Sequence, residues 1–338
     1  MPPLIDFHCD TLYKLSAFPH RFFLPSGQCP SHVSFSGLCQ ANSVLQCFAL
    51  FTDLYEDFFS SPLSRLRQQY GCFQKILSLS KGRLVQIRTA SELSDCITAG
   101  KTAALLTMEE SCLSESTLSH LPEYAELGVR IATLTWDYPN LLAGTALQAI
   151  PEKEQRQQNP YARLTPLYTT DIGLTSMGVD YLAEAERLGI SIDVSHLSDA
   201  AFYDVASHCK KPFLATHSNA RAICNHPRNL TDDMLRTIGK HGGVVGLTLY
   251  EPYLTSGPST PERLTDALVR HATHILSVAG SDVLVLGTDF DGIPGNSFVS
   301  DITQLYRLED LFIKSGFSST IVEKIFYRNA LRFLTENL

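Results

Sequence analysis

The sequence predicts an α/β fold, and within that class a closed (β/α)8 TIM barrel. Three observations carry the prediction. Eight apolar runs of strand length recur along the 338 residues. Stretches with helical periodicity separate them. Polar and ionisable residues follow the runs, where a barrel keeps its functional side chains. Near-continuous apolar strands alternating with amphipathic helices imply a parallel sheet covered by helices. Eight such units fit a closed barrel better than an open sheet, although an open doubly wound sheet satisfies the same alternation.

The eight runs are LIDFHCD (4–10), VLQCFALF (44–51), AALLTMEE (103–110), RIATLTW (130–136), SIDVSH (191–196), PFLATHS (212–218), GVVGLTLY (243–250) and VLVLGTDFD (283–291). Helical spacing appears in 63–80, 176–189, 231–242 and 261–280. Several of these open near Ser, Thr or Asp and close on Gly, the residues that cap helices. The chain reads as one domain, 1–338. The polar stretch 144–172, GTALQAIPEKEQRQQNPYARLTPLYTTDI, breaks the alternation after the fourth run. It reads as a long βα loop at the barrel mouth or as a surface insertion.

Hydrophobic residues make up 44% and charged residues 18%, enough to bury a sizeable core. A net charge of −8 without Lys/Arg runs gives no electrostatic basis for binding nucleic acid or an anionic membrane. No apolar stretch reaches the roughly 18 residues that span a bilayer. The first residues lack the basic-then-apolar pattern of a secretion leader, so a cytoplasmic location is expected. The nine Cys are scattered without CxxC spacing, which argues against a disulfide framework or a zinc knuckle. Cys47, Cys96, Cys112 and Cys209 read as buried thiols in apolar segments. Cys9 reads as packing, because in a strand it faces away from residues 8 and 10.

The ionisable residues gather at run ends. His8 and Asp10 close the first run, Glu109 and Glu110 the third, His196 the fifth, His217 the sixth, and Asp289 and Asp291 the eighth. A barrel brings these ends around one axis. His8 and Asp10, at i and i+2, project to one side and can hold one ion. His196 and His217, from neighbouring strands, can hold a second, and Glu109 can bridge the two. Imidazole with carboxylate suits zinc, with manganese, iron or cobalt less preferred. A metal pair shares a water, lowers its pKa and polarises a carbonyl. Asp289 could then accept the water's proton and pass it to a leaving amine. Taken singly, a strand-end His is commonly a hydrogen-bonded core or surface group, and Asp-x-Asp before Gly is commonly a turn. The conjunction of ligand types at five strand ends favours a metal centre. His20, His32, His120, His208, His241, His271 and His274 fall in loops or helical segments. His271 and His274 could bind metal at i, i+3, but read as surface or helix-packing residues.

Four stretches carry a family resemblance: GVRIATLTWDYPN (128–140), GLTSMGVDYLAEAERLGISIDVSHLSD (173–199), PFLATHSNARAICNHPRNLTDDMLRTIGKHGGVVGL (212–247) and LGTDFDGI (286–293). With them the chain resembles the renal (membrane) dipeptidase family, peptidase family M19, of the amidohydrolase superfamily. The resemblance runs from DFHCDTL to YRNALRFL. It implies a barrel of the metal-dependent hydrolase type with two zinc ions. His8 and Asp10 would hold one, His196 and His217 the other, and Glu109 would bridge them. Arg228, in HPRN, resembles the arginine that grips the substrate's C-terminal carboxylate, a task suited to a bidentate guanidinium. Asp289 resembles the aspartate that works with the bridging water and the substrate amine. The implied activity is zinc-dependent hydrolysis of dipeptides by a metal-bridged hydroxide. Family members tolerate a D-residue at the second position, so L-D dipeptides are expected among the substrates. A homodimer is implied by the family alone.

Two positions depart from the pattern. Trp136 stands where the membrane enzyme has a His thought to steady the oxyanion. Its indole can donate one hydrogen bond or serve as an apolar wall. Glu110-Ser111 stands where the family usually has Gly-Gly, which tightens the loop beside the bridging residue. The first departure keeps open a deacylase or lactonase acting on a non-dipeptide substrate. A catalytically silent binding barrel is the reading from another class, and the presence of all five ligands and Asp289 weighs against it.

Overall fold

A computed structural model describes residues 1–54, 61–147, 171–257 and 260–338. Its strands are β1 (Leu4–Asp6), β2 (Ser43–Phe51), β3 (Leu84–Ile87), β4 (Thr102–Glu109), β5 (Val129–Thr133), β6 (Ser191–Asp193), β7 (Val245–Leu247) and β8 (Leu284–Leu286). Seven form a curled parallel sheet in the order β6-β5-β4-β2-β1-β8-β7. The 212–218 segment joins its two edges. Leu214 bridges Asp193 of β6, and Ala215 bridges Val245 of β7, both in parallel. The ring thus has eight staves, one from each apolar run of the sequence.

β3 is an addition that the sequence pattern did not separate. It pairs with the first half of β4, from Leu84 opposite Thr102 to Ile87 opposite Leu105. β5 takes over the same edge from Leu106 onward. Only the two ends of its LVQI sequence are buried, so it gives no sustained apolar signal.

The staves are shorter than the runs. Ladder pairing stops at Asp6, Asp193 and Leu286, while the apolar runs continue to 10, 196 and 291. Side-chain carboxylates take over the backbone donors there. Asp6 accepts the Thr288 N–H at 2.9 Å, and Asp193 accepts those of Ser195 and Thr216 at 2.9 Å. The chain then turns sharply. Glu110, His196, Asp289 and Asp291 have φ of 62°, 76°, 63° and 71°. Non-glycine residues seldom adopt that left-handed region, and strain of this kind collects at functional sites.

The four helices expected from periodicity form at Pro62–Leu79, Ser176–Arg187, Asp232–Lys240 and Pro261–Ala279. Ser61, Thr175, Thr231 and Thr260 cap them, each accepting a backbone N–H of the first turn. Each cap is worth about 1 kcal/mol.

Strand alternation places the core. Ala103 and Leu105 share the parity of Glu109 and pack with Ile5, Leu45, Ile131, Leu214 and Val285. Phe333 and Leu334, from the helix Asn329–Asn337, join this cluster. Ala104, Leu106 and Met108, of opposite parity, belong to the larger core shared with the helices. Glu109 therefore rises from the same face as the smaller cluster, at the C-terminal end of its strand.

All nine Cys are free thiols. Cys47, Cys96, Cys112 and Cys209 are buried, and the buried Cys9 thiol donates to the Cys47 carbonyl at 3.2 Å. Among the described residues, no helix is long and apolar enough to cross a membrane. Most of the 144–172 stretch, residues 148–170, lies outside the described residues. Its first residues are anchored at the barrel mouth, where the Thr145 hydroxyl donates to the His196 carbonyl at 2.8 Å.

Candidate metal centre

Six ionisable side chains from distant parts of the chain meet at the C-terminal ends of the staves. His8, Asp10, Glu109, His196 and His217 are each 5% exposed or less. Asp289 is nearly as enclosed, with 13% of its side chain exposed. Glu109 stands in the middle. Its Oε1 lies 2.9 Å from His196 Nε2 and 3.6 Å from His217 Nε2. Its Oε2 lies 3.5 Å from His8 Nε2. His8 Nε2 is in turn 3.6 Å from Asp10 Oδ2 and 3.9 Å from Asp289 Oδ1.

The carboxylate thus has one oxygen on each of two donor sets. His8, Asp10 and Asp289 surround the Oε2 side, and His196 and His217 the Oε1 side. Within this cluster, His8, Asp10 and Asp289 offer ligand atoms within 4.8 Å of one another, as do His8, Glu109 and His217. Separations of 3.5–3.6 Å are long for hydrogen bonds. They match the edge of a tetrahedron with bonds near 2.1 Å, about 3.4 Å.

Two buried atoms fit a cation. Among the described residues, His8 Nε2 and Asp10 Oδ1 have no hydrogen-bond partner. Buried polar atoms seldom stay unpaired, and a cation between them would satisfy both. Gly292 leaves room for it. A Cβ there would meet Asp10 Oδ2 at 2.3 Å and Asp289 Oδ1 at 2.4 Å.

The electrostatics agree. Burial alone lowers the His8 imidazole, yet the Glu109 and Asp10 carboxylates outweigh it and hold His8 well above its usual range. Burial lifts the Asp10 carboxyl to about 6, with Glu109 adding to the rise. Burial also lifts Asp289 to about 7, with His8 opposing and Asp10 and Glu109 reinforcing. Burial and the neighbouring His8 push His217 well below its usual value. Three carboxylates crowded into one buried space make a setting suited to positive charge.

Arg228 is placed by its loop. Arg221 forms a two-pronged pair with Asp199, both contacts at 2.7 Å, and donates to the carbonyls of Asn229 and Pro227. The Asn229 side chain ties the same loop to the carbonyls of Cys224 and Tyr253 at 2.8 Å. The Arg228 guanidinium then lies over the Tyr253 ring at 5.4 Å, 3% exposed. Its Nε and Nη2 have no partner among the described residues. Its charge reaches His196 and His217.

The two departures find physical places. Trp136 sits edge-on between Phe51 and Tyr138, with centroids 5.0 and 5.2 Å away, and 6.4 Å from the His196 ring. It is part of an aromatic wall beside the cluster. Glu110 occupies a left-handed position, where glycine is the unstrained choice. Its buried carboxyl accepts from the N–H groups of Cys112 and Trp136 and from the Asn140 side chain. It braces the two loops after β4 and β5.

Asp291 also turns away from the centre. It accepts from Thr11 and from the His32 N–H, so it holds a loop. His271 and His274 stay apart from any metal cluster among the described residues. His271 packs inside, bonded to the Ala220 N–H and the Leu254 carbonyl, and His274 pairs with Asp232 at 2.6 Å. Sequence reasoning passed over Asp137, whose Oδ1 lies 2.9 Å from His196 Nδ1. Its signal was its position directly after Trp136 in TLTWDYPN.

A family profile described as membrane dipeptidase (peptidase family M19) matches residues 1–337. The chain belongs to the membrane dipeptidase family. Its relatives include an uncharacterized protein of Klebsiella pneumoniae from the pqqA 5′ region, 31% identical over 81% of this chain and 96% of that one. Dipeptidase tcpJ of Claviceps purpurea is 27% identical over 98% of this chain and 76% of its own length. Among solved structures, a dipeptidase AC of family M19 is 25% identical, with a TM-score of 0.85 over 99% of this chain and 98% of that one. A Rhodobacter sphaeroides metallopeptidase, liganded with a phosphinate mimic of the dipeptide L-Ala-D-Ala, is 24% identical and shares the fold at a TM-score of 0.85, covering 100% and 99% of the two chains. This M19 protein is a metallo-dipeptidase by family, and its barrel places the six-residue cluster where such folds keep their active sites.

Proposed function

We propose that the chain is a zinc-dependent dipeptidase whose substrates include L-D dipeptides. The observation that carries this reading is Glu109, with one carboxylate oxygen on each of two buried donor sets. His8 and Asp10 would hold one zinc and His196 and His217 the other, with Glu109 shared between them. All-nitrogen-and-oxygen donors of this kind suit zinc. When bound, the zinc pair supplies a hydroxide and polarises the scissile carbonyl.

The chain's own residues do the rest. Arg228, buried and with Nε and Nη2 unpaired among the described residues, takes the C-terminal carboxylate of the dipeptide and fixes its register. Asp289 takes the proton released as water attacks and hands it to the leaving nitrogen. Its Oδ1 stands 3.9 Å from His8 Nε2, at the edge of the first donor set, where a carboxylate can take a proton and return it. Trp136 and its ring neighbours wall the site. The phosphinate dipeptide mimic held by the Rhodobacter sphaeroides structure supports the L-D substrate class. A cytoplasmic location and a homodimer belong to the same proposal.

The test is amino-acid release from a panel of L-L and L-D dipeptides by zinc-loaded protein, with a chelator-treated control. Zinc-dependent release supports the proposal. Protein that binds two zinc ions and cleaves no dipeptide refutes it in favour of a deacylase or lactonase on another substrate.

A further inference from the structure

Asp193, the last residue of β6, is fully buried and accepts five hydrogen bonds. Its Oδ1 takes the N–H and hydroxyl of Ser195 at 2.9 and 2.6 Å and the N–H of Thr216 at 2.9 Å. Its Oδ2 takes the hydroxyls of Thr133 at 2.6 Å and Thr216 at 2.5 Å. These bonds join β5, β6 and the 212–218 segment directly beside His196 and His217.

Counting protons gives the network a direction. A carboxylate has none to donate. Thr216 Oγ1 has one, and Asp193 takes it. The same oxygen lies 2.8 Å from His217 Nδ1, so there it can only accept. His217 therefore carries its proton on Nδ1 and presents a bare Nε2 toward His196 Nε2, 2.9 Å away, and Glu109 Oε1, 3.6 Å away. Ser195 repeats the pattern on the backbone, donating to Asp193 and accepting the His217 N–H at 3.2 Å. Thr216 has little room to shift. A Cβ on Gly246 or Gly287 would meet its carbonyl oxygen at 1.8 or 1.7 Å, so the backbones of β7 and of the residue after β8 close on it.

We infer that Asp193 is a positioning residue for the half-site of His196 and His217. Through Thr216 it fixes the His217 proton on Nδ1 and keeps Nε2 free to bind metal. His196 gets the same service directly from Asp137, whereas His217 gets it through one hydroxyl. The inference rests on the reading of His217 as a zinc ligand.

The test compares wild type with Asp193→Asn, Thr216→Val and Thr216→Ser. An amide at 193 can donate to the Thr216 hydroxyl, which then turns its own proton onto His217 Nδ1. Valine removes the hydroxyl at nearly constant shape, and serine restores it. Two readouts are taken: the His217 tautomer in zinc-free protein by 15N NMR, and zinc affinity by competition with a chromophoric chelator. Wild type should show the Nδ1–H tautomer and two bound zinc ions. Asp193→Asn and Thr216→Val should lose that tautomer and bind the second zinc about 10- to 100-fold more weakly. Thr216→Ser should match wild type. If Asp193→Asn fails to fold, the valine and serine pair decides alone. Equal tautomer and affinity in Thr216→Val and wild type would overturn the inference. Zinc binding that leaves the His217 15N shifts unchanged would instead overturn the reading of His217 as a ligand.

Discussion

The Asp137 carboxylate lies 2.9 Å from Nδ1 of His196, at the end of the ring opposite the Nε2 that faces Glu109. A carboxylate there fixes the Nδ1–H tautomer and raises the basicity of Nε2. Removing it should loosen the metal that His196 is proposed to hold. Asp137→Ala is expected to weaken the second zinc by about 10- to 100-fold, with the first unchanged. Zinc titration of both proteins measures it, and an unchanged second affinity would count against the role.

Arg228 gives the sharpest separation between substrates. Its guanidinium Nε and Nη2, unpaired among the described residues, suit a free carboxylate. Arg228→Ala should lower kcat/KM for dipeptides by about 10- to 100-fold, mostly through KM. An amidated dipeptide should lose little. Indifference of every cleaved substrate to the substitution would favour a carboxylate-free substrate class.

Gly292 can be tested through its missing side chain. Alanine would press on Asp10 Oδ2 and Asp289 Oδ1, both at the flexible ends of side chains. The fold should lose about 1–3 kcal/mol at most. Displacing those two carboxylates should cost far more in rate, about 100-fold in kcat, with weaker binding of the zinc at His8 and Asp10. Turnover and zinc content of Gly292→Ala, with its urea unfolding curve, check both halves.

His271 sets a pH dependence of stability away from the metal centre. Burial lowers its pKa from 6.5 to about 4, although its bond to Leu254 opposes the fall. The unfolded chain therefore binds the proton first as pH drops. The stabilisation is complete above pH 6.5 and is lost as pH falls through 4. It amounts to about 3 kcal/mol. Urea unfolding at pH 7.5 and 4.5 should show wild type losing about 2–3 kcal/mol more than His271→Gln between the two conditions. Equal losses would refute the assignment.

The barrel was legible because its eight staves are buried on both faces, so each leaves an unbroken apolar run. The helices were legible through their 3.6-residue spacing and their Ser/Thr caps. β3 was not, because only Leu84 and Ile87 of its four residues are buried and two positions carry no period. The candidate ligands stood out as His and carboxylates at the ends of apolar runs. Glu109 and Glu110 show where that signal stops: they are adjacent and chemically alike, yet one faces the cluster and the other braces loops after a left-handed turn. Asp137, Asp193 and Thr216 were illegible for a related reason. Their importance lies in which proton each hydrogen bond takes, and that appears only when three distant strands are side by side.

The most direct measurement is amino-acid release from L-L and L-D dipeptides by protein reconstituted with zinc, beside the same protein after chelation. Hydrolysis that appears with zinc, vanishes with the chelator and returns on readdition is the expected result. No cleavage of any dipeptide by protein shown to hold two zinc ions would contradict the dipeptidase reading.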